Sequence, residues 1–111
     1  MTLTLTGKQR RHLRALAHSH KPVVQIGHAG LTPAVVAAVE QALETHELVK
    51  VRVSGEATQD VSEIGAQLAL ETRSSLAQEI GRTILLYRRR QQSPTIVLPK
   101  AGTARAPAKG G

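Results

Sequence analysis

Apolar and polar positions recur along this chain with two different periods, and the switches between them mark the elements. From residue 6 the period is helical: Leu13, Leu16 and Ala17 share one face, while Arg11 and Arg14 stand on the other, flanked by Lys8 and Arg10. Thr6 with Gln9 three residues later predicts a capping box at the start of this first helix. His18 to Pro22 reads as a loop, because a residue before proline avoids the helical region. Pro22 to Ile26 reads as a short strand ended by Gly27. Thr32 with Pro33 then predicts a capped second helix, since proline at the first helical position forfeits no hydrogen bond. Its buried stripe is Val35, Val36, Val39 and Leu43, and Glu40, Glu44 and Glu47 fall on more solvated positions.

The period then changes to two. Over Leu48 to Val53, Val49, Val51 and Val53 point one way and Lys50 and Arg52 the other, a half-buried strand with a basic outer face. Gly55 breaks it. Asp60 with Glu63 suggests a second capping box, followed by a helical stripe of Val61, Ile64 and Leu68. Leu76 to Ile80 and Thr83 to Tyr87 read as two strands joined by a two-residue turn, Gly81-Arg82, with glycine first. The unbroken run Ile84-Leu85-Leu86 predicts that the last strand is central and covered on both faces. Beyond it, Thr95 to Leu98 could dock as an edge segment. The reading is therefore one domain over residues 1–98 and a basic, flexible tail over 99–111. The order α-β-α-β-α-β-β predicts an α/β fold: one mixed four-stranded sheet packed with three helices, its helix-separated strands parallel and its final hairpin antiparallel.

Composition narrows the function. The 111 residues include no cysteine, phenylalanine or tryptophan and one tyrosine, so the core is aliphatic and thiolate metal sites are excluded. The absence of cysteine fits a reducing compartment, and no apolar run approaches a membrane span, so a cytoplasmic location is expected. The net charge of +7 is segregated. Residues 1–30 carry Lys8, Arg10, Arg11, Arg14 and Lys21 with no acid. Residues 31–80 hold all 8 acids against three cations, and residues 81–111 are again purely cationic. Ends of one sign, if folded together, make a surface for a polyanion.

Two segments carry candidate chemistry. Gly27-His28-Ala29-Gly30 lies between a strand end and a helix start, where glycine permits a tight turn and a helix N-terminus offers N–H groups to a phosphate. The same pattern also occurs in turns that serve only the fold. The second segment is the basic run after Tyr87, with Arg88 and Arg89 as phosphate contacts or as an ordinary solvated strand end. One aromatic residue is too few for a module that stacks several bases, so binding would rest on backbone and shape. His12, His18, His20, His28 and His46 have no metal-site spacing, and no nucleophile–base constellation points to catalysis. No metal, cofactor or enzymatic activity is expected.

Taken together, several stretches resemble the CRM domain, the chloroplast RNA splicing and ribosome maturation module, in its bacterial stand-alone YhbY-like form. They are Leu5 to Arg10, Leu13 to His18, Lys21 to Thr32, His46 to Val51, and Ile80 to Arg88. The resemblance implies a fold similar to the C-terminal domain of bacterial translation initiation factor three. It also implies RNA binding through the glycine loop and neighbouring cations, and association with ribosomal RNA in precursors of the large ribosomal subunit. Residues 27–30 match the family loop, and Lys8, Lys21, Lys50 and Arg88 match its basic positions. Arg11, Arg14, Arg52 and Arg89 extend the expected surface from their own positions in this chain. A monomer is the expected state. Residues 72–75 depart from the family in lacking a glycine after the third helix, and the tail from Ala101 has no counterpart in it. An adaptor for an acidic protein and a DNA-binding protein remain alternative uses of the same basic surface.

Overall fold

The computed structural model describes residues 5–90 and 94–99. Helix α1 (Gly7–Ala17) opens on the expected capping box: Gln9 N–H donates to the Thr6 hydroxyl at 3.1 Å, and Thr6 N–H donates to Gln9 Oε1 at 3.0 Å. Strand β1 (Val24–Ile26) follows, then α2 (Pro33–His46), whose cap Thr32 accepts from Val35 N–H at 3.2 Å. Strand β2 (Leu48–Val53), helix α3 (Val61–Thr72) and the hairpin β3 (Ser75–Ile80) and β4 (Thr83–Tyr87) complete the expected order. Asp60 precedes α3 as its cap residue, but its side chain makes no capping bond, so the second capping box is not formed.

The strands form one sheet in the order β1-β2-β4-β3. β1 runs parallel to β2, and β4 lies antiparallel between β2 and β3. β4 is central because Ile84, Leu85, Leu86 and Tyr87 are all buried, alternating between two apolar layers. On one face, Val49, Val51, Val53, Ile84 and Leu86 pack beneath α2 and α3 through Val39, Leu43, Ile64 and Leu68. On the other, Leu48, Leu85 and Tyr87 pack beneath α1 through Leu13 and Ala17. Gly81 takes φ +57 and no positive φ occurs at Arg82, the backbone of a two-residue turn with glycine first.

Three expectations need correction. Leu16 is not part of the α1 seam, which runs Gln9, Leu13 and Ala17, and it is 37% exposed. Glu47 is not solvated but fully buried. The segment over residues 94–99 does dock, but without strand pairing: Ile96 and Leu98 pack on the α1-side core, and Gln9 Nε2 donates to the Pro99 carbonyl at 2.8 Å. The expected flexibility of the tail concerns residues that, from Lys100 on, lie outside the described ones.

Where the family would place a glycine after α3, Arg73 takes the left-handed conformation itself, at φ 56 and ψ 39. Ser74 N–H reaches back to the Ala69 carbonyl at 2.9 Å, closing the helix end as a glycine would.

Candidate nucleic-acid interface

Residues 27–30 form a tight turn at the C-terminal end of β1, closed by Gly30 N–H to the Gly27 carbonyl at 3.0 Å. The two glycines differ in kind. Gly30 takes φ +73, and a Cβ there would collide with the carboxamide of Gln59. Gln59 Oε1 in turn accepts from Leu31 N–H at 2.7 Å, pinning the turn to the loop after β2. Gly30 is thus favoured by its positive φ, more than by a contact with the tip of a flexible side chain. Gly27 is not: its φ is ordinary, and a Cβ would meet nothing within 4 Å. Gly55, after the neighbouring parallel strand β2, is equally unconstrained. Ser54 N–H donates to the Ile26 carbonyl at 2.8 Å, so these two glycines follow strand ends that are bonded to each other.

At the start of α2, Pro33 has no N–H, Thr32 takes that of Val35 and Gln59 takes that of Leu31, while those of Thr32 and Ala34 have no partner among the described residues. The N–H groups of exposed His28 and Ala29 have no partner among the described residues. The turn and the helix start thus both keep N–H groups that no described residue takes.

The expected cations separate into two groups. Arg52 is exposed and pairs in register with Gln25, two residues before Gly27. Lys50 stands two residues earlier on the same face, with Nζ donating to the His20 carbonyl at 2.9 Å. Arg14 on α1 joins Lys50 at one groove, while Lys8, Arg11 and Lys21 are exposed on α1 and the loop after it. Arg88 and Arg89 lie past the other end of the sheet, beside Leu48, which is five residues along β2 from Val53 or about 17 Å at strand rise. Arg88 is engaged within the fold: its guanidinium donates to Glu40 and Glu44 at 2.7 Å each and to the Thr72 carbonyl at 2.8 Å. The structure therefore brings Arg14 and Lys50 to one groove, places Arg52 on the strand beside the turn, and leaves Arg88 and Arg89 at the far end of the sheet.

Charge is sided as well. Among the described residues the acids other than buried Glu47 sit on α2, on α3, on the loop between β2 and α3, or at Glu79, which accepts from Ser62 of α3. The α1 side carries no exposed acid, and the buried Glu47 carboxylate there is taken up by Arg90, Thr95 and Ile96. Sequence reasoning missed Gln59, whose partners lie 28 positions away and leave no local signal. It also missed Arg82, whose side chain donates to the carbonyls of Val53 and Ser54 and fixes the loop that bears Gly55. Among the described residues no helix is long and apolar enough to span a membrane, and no three metal-ligating side chains gather.

A mixed four-stranded sheet with helices on both faces, a glycine turn at its parallel strand ends and one cationic side without exposed acids make this a small α/β module. The chain belongs to the CRS1 / YhbY (CRM) domain family, whose model it matches over residues 5–88. It is 39% identical over 95 residues to the Bacillus subtilis protein named "Probable RNA-binding protein YqeI", covering 86% of this chain and 99% of that one. To a Haemophilus influenzae protein named "RNA-binding protein" it is 40% identical over 97 residues, covering 87% and 97% of the two chains. The solution structure of the Staphylococcus aureus protein SAV1595 superimposes with a TM-score of 0.75 at 41% identity, covering 86% of this chain and all of that one.

Proposed function

We propose that this protein binds RNA without catalysis, and that it acts in the cytoplasm as a monomeric assembly factor on ribosomal RNA of the large-subunit precursor. The observation that carries RNA binding is Gly27. It has no side chain, and nothing lies within 4 Å of where a Cβ would stand, so a phosphate can approach the backbone there. The free N–H groups of His28 and Ala29, the nearby Arg52 and the absence of exposed acids on the α1 side suit a phosphate in that space. The relatives' names support the same class of ligand. The large-subunit assignment rests on the family resemblance.

Crosslinking in cells followed by sequencing of the bound RNA tests both levels. Recovery of mainly large-subunit ribosomal RNA is expected. Recovery of other RNA overturns the assembly role and leaves RNA binding standing, and recovery of none overturns both.

A further inference from the structure

Helix α1 covers only part of its sheet face. Leu48, Leu85 and Tyr87 lie beneath it, but toward the strand ends near the hairpin the sheet is open. There a groove of about 230 Å³ is lined by Arg14, Ala17 and His18 of α1 and its end, and by strand residues including Lys50, Gln78 and Leu85. Its apolar lining is Leu85, Ala17 and the 56% exposed Ile80. The other lining residues are polar or cationic, and none is a carboxylate.

We infer that this groove receives one unpaired nucleotide of the bound RNA, its base against the apolar lining and its phosphate against Lys50. The inference rests on the RNA-binding reading above and adds that the ligand is single-stranded at this point. The volume is large for ordered water, at ~30 Å³ per molecule, yet below the ~300–1,000 Å³ of pockets that hold drug-sized ligands. It suits one flat ring system. Unpaired bases are held by stacking on aromatic rings or on guanidinium planes. Here Tyr87 is 1% exposed and cannot stack, so that role falls to Arg14 and His18, which flank the groove one helical turn apart.

Charge selects among occupants. The chain's own tail carries Lys100, Arg105 and Lys109, and a second copy would bring the same cationic face, so both are repelled where a polyanion is drawn in. Position agrees. Arg52 pairs with Thr83 at the groove's edge and with Gln25 just before the glycine turn. Thr83 and Gln25 are thus about 10 Å apart across two strand spacings, with Arg52 between them and the turn starting two residues beyond Gln25.

The test uses a single-stranded RNA oligonucleotide carrying one 4-thiouridine, photo-crosslinked to the full chain, and the uncharged groove-filling variants Thr83→Leu and Gln78→Leu. Crosslinks in residues 14–18 or 78–85 are expected. Each variant should lose at least ~fivefold in single-strand affinity, with unchanged melting temperature and unchanged affinity for duplex RNA. Crosslinks confined to residues 25–34, with both variants binding normally, overturn the groove and leave the RNA-binding reading intact. Equal losses for single strand and duplex also overturn it. Contacts of Leu85 methyl groups with residues 100–111 in the free chain, or a dimer abolished by Thr83→Leu, overturn it in favour of the tail or of a second copy. No binding of any RNA by the unmodified protein overturns both readings.

Discussion

The Glu47 carboxylate holds Thr95 twice, with Oε1 accepting from the Thr95 backbone N–H and from its hydroxyl, each at 2.8 Å. The same oxygen accepts from Ile96 N–H at 2.9 Å, and Oε2 accepts from Arg90 N–H at 2.9 Å. Glu47 sits at φ 65 just past α2, fully buried, and ties both sides of the segment after β4 to the sheet. Burial alone would raise its pKa, but the three backbone N–H groups and the hydroxyl outweigh that and hold it below the ordinary 4.5.

A group whose folded pKa is depressed adds stability that is complete above its unfolded pKa and is lost as pH falls through the folded value. Urea unfolding should therefore show full stability above about pH 4.5 and a decline below it. Glu47→Gln turns an acceptor into a donor facing N–H groups. It should cost about 1–3 kcal/mol at neutral pH and flatten the acid decline. An undiminished decline in this variant would assign the acid sensitivity to other carboxylates.

Arg73 bears a steric penalty in its left-handed conformation that glycine avoids. Arg73→Gly should raise stability by about 0.5–1 kcal/mol, after discounting the entropy of the more flexible unfolded chain. Thermal or urea unfolding measures it, and a less stable variant would show that the arginine side chain contributes more than its backbone costs.

The two glycines of the turn should respond oppositely. Gly27→Val should melt as the unmodified protein does but bind RNA at least ~tenfold more weakly, about 1.4 kcal/mol. Gly30→Ala should cost about 1–2 kcal/mol of stability, from its positive φ and the displaced Gln59. Normal RNA affinity in Gly27→Val would remove the turn from the interface.

The arginines should divide the same way. Arg52→Ala should leave unfolding unchanged and reduce the log–log salt slope of binding by roughly 0.7, the value for one single-strand phosphate that is no longer neutralised. Arg88→Ala should destabilise the fold by about 1–2 kcal/mol, mostly through the Thr72 carbonyl, since the ion pairs to partly exposed Glu40 and Glu44 are screened. Its salt slope should change little. The reverse pattern would place the interface at the far end of the sheet.

Paired charge changes separate direct phosphate binding from general electrostatics. His28→Asp with Ala29→Asp should reduce RNA affinity at least ~tenfold without loss of stability, because negative charge before a helix N-terminus is tolerated. Gln41→Glu with Thr45→Glu, on exposed positions of α2, is the control. Equal losses in the two binding assays would leave only net charge as the cause.

The sequence by itself determined the elements, their order and the central place of β4. Each of these follows from local periodicity, caps and turns, where interacting residues are neighbours in the chain: Thr6 with Gln9, Thr32 with Val35, Gly81 before Arg82. It also marked the turn at residues 27–30. Tertiary structure alone shows how that turn's two glycines differ, because the positive φ of Gly30, the Gln59 that bonds Leu31 from 28 positions away, and the open space beside Gly27 leave no local pattern. It likewise decided which cations are available. Arg52 and Arg88 look alike in sequence, and only the approach of Glu40, Glu44 and Thr72 engages one of them within the fold. Glu47 read as solvated for the same reason: the N–H groups that make its burial tolerable come from residues 43 to 49 positions further on, and no pattern local to α2 registers them.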